Sequence, residues 1–305
     1  MESLRYLWPS TSLVYEQFAK DQGFKPTTVE LLHDGLGHWL GDENATDVVL
    51  YFHGGGFQLS ANPALLEFYS NIIIDLNSQG QKIAFFFLSY SLTPHASYPT
   101  QLKQGVEALR YIIRQTGRSP SNILLGGDSA GGNLALSVLL HLSHPHPDVE
   151  PLDFSGSLGG IYTISPWGCL CLNGWSSVKE NSEKDIFSEE AGHRWANAYL
   201  NGRPSDSWSD PFLAPVEWWA DVKVEQVLIL SGSEDILLSQ IQEFVVKLKN
   251  AVPSTNFVIG LHEGHVSPIF DHVMGDRSQT KQEMELRRWL AEILKRDTRS
   301  RILPV

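Results

Sequence analysis

From residue 47 onward the sequence alternates short, continuously apolar runs with longer amphipathic ones, and this rhythm admits few folds. DVVLYFH (47–53), KIAFFFLSY (82–90), NILLGG (122–127), GGIYTIS (159–165), EQVLILSG (225–232) and TNFVIGL (255–261) have strand length. Residues 64–79, 99–117, 130–143, 239–251 and 280–296 read as the helices between them. In 99–117, Pro99 stands near the start and Gly117 at the end, with Leu102, Val106, Leu109, Ile112 and Ile113 on one face. Strands apolar along their whole length have no face to give to water. They predict a mostly parallel sheet with helices on both faces.

Two regions depart from the rhythm. Ahead of it, Leu4, Leu7, Trp8, Tyr15 and Phe18 recur at near-helical spacing interrupted by Pro9, which predicts one or two short amphipathic helices. A hairpin should follow, with TTVELLH and LGHWLG joined at Asp34-Gly35. Within it, residues 166–220 hold WGCLCLNGW, a charged helix-like stretch and SDPFLAPVEWW. Trp167, Trp175, Trp195, Trp208, Trp218 and Trp219 all fall there. The 305 residues read as one domain, 1–305, with an insertion that either covers the sheet edge or caps a substrate. Its aromatic content suits an apolar pocket at the carboxyl ends of the strands.

The net charge of −12 repels phosphate backbones and anionic lipid, which argues against nucleic-acid partners. The apolar runs are far too short to span a bilayer. The first twenty residues lack a basic segment followed by an apolar one, so a cytoplasmic location is expected. Cys169 and Cys171 are too close in sequence to pair and too few for a thiolate zinc cluster, and read as buried free thiols. His141, His144 and His146 lie near Asp148 and Glu150, but Pro145 and Pro147 point to a solvated loop rather than a metal site.

The strongest chemical signal is Gly127-Asp128-Ser129-Ala130-Gly131, between a strand and a helix. A serine on such a tight turn is held clear of the sheet, with a helix N-terminus behind it to favour developing negative charge. His53-Gly54-Gly55-Gly56-Phe57 directly follows the strand 47–53. Glycines there let backbone N–H groups face a tetrahedral oxyanion, so Gly55, Gly56 and Ala130 are the expected oxyanion hole. His53 should hold that loop rather than transfer protons, and Asp128 reads as a helix N-terminal acid. A nucleophile elbow of this kind is followed in the chain by an acid and then a histidine. Glu234 and Asp235 follow the strand 225–232, and the shorter side chain favours Asp235. His262 and His265 follow the strand 255–261. Gly264 gives His265 a flexible approach, and VSPIF resumes packing after it.

HGGGF some seventy residues before GDSAGG resembles the hormone-sensitive-lipase-type branch of the α/β-hydrolase fold, from about Val48 to Ile269. SYSLTPHASYPTQL (89–102) resembles that branch's Tyr-Arg-Leu-Ala-Pro-Glu stretch and the Phe/Tyr-Pro step after it, with Ser91 where arginine is usual and His95 where glutamate is usual. KENSEKDIFSEEAGHRWANAYLNG and SDPFLAP resemble cap and post-cap segments of fungal members. SGSEDILL resembles the acid segment and matches Asp235 to the acid, with Ser239 in place of a further acid often found downstream. GHVSPIF resembles the histidine segment in its H-x-x-P-I form and matches His265.

The resemblance implies an α/β-hydrolase fold with a helical cap, formed by residues 1–25 and the insertion at about 166–220. It implies no cofactor and no metal. It also implies a serine carboxylesterase with a small-molecule ester substrate, acting on acetyl or other short-acyl esters, among them secondary-metabolite intermediates. A homodimer stays open. The rival readings are acyl transfer or lactone closure at the same site, and a ligand-binding receptor on this fold. A formamidase is disfavoured because its loop carries Trp where Phe57 stands.

Overall fold

The computed structural model describes the backbone of residues 9–300 and side chains through Lys295. Leu4, Leu7 and Trp8 lie outside the described residues. The apolar runs form strands: β1 Thr27–Glu30, β2 Leu36–Leu40, β3 Asp47–Phe52, β4 Ile83–Ser89, β5 Ile123–Asp128, β6 Gly160–Ile164, β7 Val227–Gly232 and β8 Thr255–Gly260. They make one eight-stranded sheet in the order β1-β2-β4-β3-β5-β6-β7-β8. β1 and β2 are antiparallel to each other, and β2 is antiparallel to β4. Every pairing from β4 to β8 is parallel. The sheet is thus mostly parallel with helices on both faces, as the rhythm of strands and helices predicts.

β3 explains why these runs are apolar without alternation. Val48, Leu50 and Phe52 feed the core on one face, and Val49 and Tyr51 feed the core on the other. All five are fully buried. Helices Thr100–Arg114, Ala130–Ser143 and Leu238–Ala251 cover the first face. Helices Thr11–Gln22, Pro63–Ser78 and Lys281–Ser300 cover the second. Among the described residues, no helix is long and apolar enough to cross a membrane.

The N-terminal periodicity resolves into one helix, Thr11–Gln22, which starts beyond Pro9 and is capped by the Ser10 hydroxyl. Tyr15 fixes it to the hairpin: its hydroxyl donates to the Trp39 carbonyl at 2.6 Å and accepts from the Thr27 amide at 2.9 Å. The hairpin forms, but its first strand stops at Glu30 and not at His33. Residues Leu32–Asp34 wind into a single 3-10 turn in which His33 and Asp34 have φ of 61° and 62°. The Leu31 amide closes that turn on the Gly35 carbonyl at 2.9 Å.

Three sequence expectations fail on burial. His141 and His146 are buried, not solvated. The His141 ring accepts from the His146 amide, and the His146 ring accepts from the Asp148 amide, both at 3.0 Å, so each spends a ring nitrogen on its own loop. Cys171 is exposed, while Cys169 is buried as expected. Of the tryptophans of 166–220, Trp167 and Trp219 are buried in the core and the other four are half-buried against it: Trp219 packs edge-on to Phe244, and Trp208 packs against Trp218.

Tyr15→Phe leaves the Thr27 amide and the Trp39 carbonyl without their partner. It should lower unfolding free energy by about 1–3 kcal/mol, read from the urea midpoint at unchanged slope.

Candidate active site

The sheet changes direction at β3. The chain passes from β3 to β4 on one side and later to β5 on the other. Such a switch leaves a crevice beyond the carboxyl ends of the two strands. Phe52 of β3 pairs with Gly127 of β5, so the turns that follow them lie side by side. One is the loop 53–57, and the other carries Ser129.

Ser129 sits at φ 51° and ψ −119°, outside the regions a residue with a Cβ normally adopts. The fold over-determines this conformation. The Ser129 amide donates to the Ile164 carbonyl at 2.9 Å, and the Ser129 carbonyl accepts from the Trp167 amide at 3.0 Å. The helix behind it packs so closely that a Cβ on Gly131 would lie 1.9 Å from the Phe52 carbonyl oxygen. Ala130 opens that helix, where the first N–H groups have no intrahelical acceptor.

Three side chains meet at the rim. Ser129 Oγ lies 2.9 Å from His265 Nε2, and His265 Nδ1 lies 3.2 Å from Asp235 Oδ1. An ionised carboxylate only accepts, so Nδ1 carries the proton. Nε2 is then the free lone pair facing the serine hydroxyl. Asp235 is fully buried. Its Oδ1 also accepts from the Leu237 amide at 2.9 Å, and its Oδ2 from the Ser231 hydroxyl at 3.1 Å. Burial opposes its ionisation, but the His265 imidazolium, the Ser165 hydroxyl and the Leu237 amide hold its carboxyl below the usual aspartate range. Burial alone would depress His265. The Asp235 carboxylate, with Asp185 and Asp128 behind it, lifts the imidazole above its ordinary value instead.

The alternatives stand elsewhere. His262 Nδ1 and Glu234 Oε1 are 3.4 Å apart on the surface, where they pair with each other. His53 is buried, and burial pushes its imidazole down to about 4, so it is neutral at pH 7. Its Nδ1 donates to the Gly54 carbonyl at 2.7 Å, its Nε2 accepts from the Thr11 hydroxyl at 3.1 Å, and its own carbonyl accepts from Tyr90 at 2.5 Å. His53 therefore holds the loop. The helix-terminal reading of Asp128 needs correction. Its side chain turns to the neighbouring loop, accepting from the Gly54 amide at 2.9 Å and the Tyr51 hydroxyl at 2.6 Å.

Gly55 and Gly56 border a cavity of about 310 Å³ that also contains Ser129 and His265. Gly56 has a φ of 60°, and a Cβ there would strike the Trp195 ring at 2.2 Å. Leu59, Leu65, Ile186, Phe187, Ile269 and Phe270 give the cavity an apolar wall. Trp195 is the only tryptophan of the insertion lining it. Trp195 stacks on Phe187 at 5.5 Å, and Phe187 stacks on the His265 ring at 5.3 Å. The charged stretch 176–200 forms two helices, Ser176–Asn181 and Glu189–Leu200, and the break between them delivers Ile186 and Phe187 to the site.

Sequence reasoning missed two residues here. Ser165, at φ 50°, accepts from the Val266 amide at 3.1 Å and anchors the turn after His265. Asp185, in the break between the two helices, accepts from the backbone amides of His265 and Ile236. Among the described residues, Asp185, Asp235 and His265 are the one cluster with metal-ligand spacing, and hydrogen bonds already engage them. The positions that depart from the resemblance are filled by other partners. Ser91 is bracketed by the buried amides of Gln101 and Gln104, and Ser239 bonds the Ser177 hydroxyl at 2.8 Å.

Residues 49–268 match a family model described as the alpha/beta hydrolase fold. Steryl acetyl hydrolase 1 of Saccharomyces cerevisiae is 25% identical over 281 residues, covering 86% of this chain and 59% of the relative. An esterase of Acinetobacter venetianus is 27% identical over 217 residues, covering 70% of this chain and 65% of its own. The chain thus spans less than two thirds of the length of either of these curated relatives. The crystal structure of carboxyl esterase 2 from Tuber melanosporum superposes with a TM-score of 0.72 at 20% identity, covering 89% of this chain and 87% of that one.

Burial pushes the Asp128 carboxyl up to about 6, above its value in an unfolded chain. Its ionisation therefore costs stability, a cost absent below about pH 4 and complete once pH passes the folded value. Asp128→Asn keeps an acceptor for Tyr51 and Gly54 without the charge. Its stability relative to wild type should improve from about pH 5 to about pH 7, as read by urea unfolding at both values.

Proposed function

The chain belongs to the α/β-hydrolase fold family, and from that premise we propose that it is a serine carboxylesterase in which Ser129, His265 and Asp235 form the catalytic triad. The observation that carries this reading is the chain of contacts from Ser129 Oγ through His265 to the buried Asp235 carboxylate, at 2.9 and 3.2 Å.

Ser129 Oγ attacks the ester carbonyl carbon while His265 Nε2 takes the hydroxyl proton. The carbonyl oxygen becomes an oxyanion, which accepts from the amides of Gly55, Gly56 and Ala130. The imidazolium is held by the Asp235 carboxylate, which orients the ring and stays ionised. As the tetrahedral intermediate collapses, the proton passes from Nε2 to the leaving alcohol oxygen and the acyl group remains on Oγ. Water then enters, gives its proton to Nε2, and attacks the acyl carbon. The second collapse returns the proton to Oγ and releases the acid.

The elements support this division of labour. Asp128 and His53 fix the loop whose amides meet the oxyanion, so little reorganisation is needed when charge develops. The helix Thr11–Gln22, through Thr11, and the segment around Phe187 and Trp195 act as the cap. The apolar wall favours a hydrophobic ester, and the modest cavity favours a short acyl chain, acetyl foremost. The acetyl ester named for the yeast relative is of this class.

Ser129→Ala should reduce hydrolysis of p-nitrophenyl acetate by at least ~10³-fold with the fold intact by circular dichroism. Unchanged turnover would reject the assignment. Catalysis needs neutral His265, and its surroundings raise its pKa above the ordinary histidine value. The pH profile of kcat/KM should therefore rise through a midpoint above about 6.5, and a midpoint below that value would contradict the charge arrangement.

A further inference from the structure

Asp185 belongs to neither the nucleophile, acid nor histidine segment, yet its carboxylate joins two of them. Its Oδ2 accepts from the Ile236 amide at 2.6 Å, one residue past the acid. Its Oδ1 accepts from the His265 amide at 3.2 Å and from the Ile186 amide at 2.7 Å. One oxygen each of Asp185 and Asp235 and a ring nitrogen of His265 lie within 4.8 Å of one another. Two residues on, Phe187 lies over the His265 ring. One short loop of the insertion thus supplies a carboxylate to the histidine backbone and an aromatic face to its imidazole.

We propose that Asp185 is a positioning residue that locks the acid loop to the histidine loop and places a second negative charge beside the imidazole that ionises during turnover. The proposal rests on the triad reading above. It extends that reading by making the inserted segment part of the machinery that orients the base, in addition to walling the pocket.

The chemistry favours a carboxylate at this position. Both oxygens accept from backbone N–H groups, an arrangement that an asparagine side chain cannot reproduce. Its amide offers one acceptor, and its NH2 would face an N–H donor. The charged groups facing His265 are Asp235 from the loop after β7, Asp185 from the insertion and Asp128 from the nucleophile turn. Those facing Asp185 are His265 and Asp235. Removing the Asp185 charge withdraws one of three anions that stabilise the imidazolium, so His265 should lose its proton at lower pH.

The test is the rate at which an alkyl fluorophosphonate labels Ser129, followed by intact mass across a pH series. It needs no knowledge of the natural ester. Asp185→Asn should move the acid midpoint of labelling down by about half a unit to one unit. It should also lower the plateau rate by about tenfold to a hundredfold through the displaced ring. Asp185→Glu, which keeps the charge, should hold the wild-type midpoint even where its plateau falls. Should Asp185→Asn fail to fold, Asp185→Ser reads the same midpoint with an uncharged acceptor.

A wild-type midpoint in the uncharged variants overturns the proposal and leaves the triad reading standing. The same downward shift in Asp185→Glu also overturns it, because lost packing would then account for the effect. No labelling of wild-type Ser129 would remove the triad reading, and this proposal with it.

Discussion

The parallel pairing of β3 with β5 is the constraint from which the rest of the structure follows. With Phe52 opposite Gly127, two turns leave the sheet at the same height and on the same side. The space between them is too narrow for a side chain at Gly131, whose Cβ would collide with the Phe52 carbonyl. That closeness puts Ser129 and the glycine loop on one cavity. The bond from the Gly54 amide to Asp128 then ties the two turns together at a distance the sheet has already set.

The remaining strands extend the same logic outward. Each parallel partner carries its residues to the same rim: Asp128 opposite Ile164, Ile164 opposite Leu230, and Gly232 opposite Gly260. The loops after β7 and β8 therefore begin within reach of the Ser129 turn, although Asp235 and His265 lie far from Ser129 in sequence. The polar groups that hold these loops are themselves buried and paired. Asp235 is satisfied by Ser231 and Leu237, and the turn after His265 by Ser165. An unpaired carboxylate at such depth would be costly, and pairing on every side fixes its geometry.

Much of this was legible in the sequence because the determining features are local. A continuous apolar run marks a strand buried on both faces, and a glycine-rich turn between strand and helix marks the switch point. Ser129 and Asp235 stand out as candidates because each follows such a strand, and His265 because it follows the last strand, which lies at the sheet edge and is only partly buried. What the sequence hid depends on contacts between distant segments. Asp185 has little local signature, since the two amides it ties together lie 51 and 80 residues away. In sequence the segment reads as one charged helix-like stretch, and the break that carries Asp185 appears only in the fold. The prolines around His146 suggested an exposed loop, whereas the packing of Trp208 against that ring buries it. The tryptophans suggested a pocket lining, but only Trp195 lines the cavity, while Trp219 is drawn into the core against Phe244.

The proposed catalysis requires the serine, its base and the glycine amides to address one reacting centre. A crystal structure of the protein after reaction with a short-chain phosphonate ester tests this most directly. The expected result is a single adduct on Ser129 Oγ, with the phosphoryl oxygen about 2.7–3.1 Å from the amides of Gly55, Gly56 and Ala130 and His265 Nε2 facing the leaving-group position. An adduct on another residue, or a phosphoryl oxygen turned to solvent away from those amides, would contradict it.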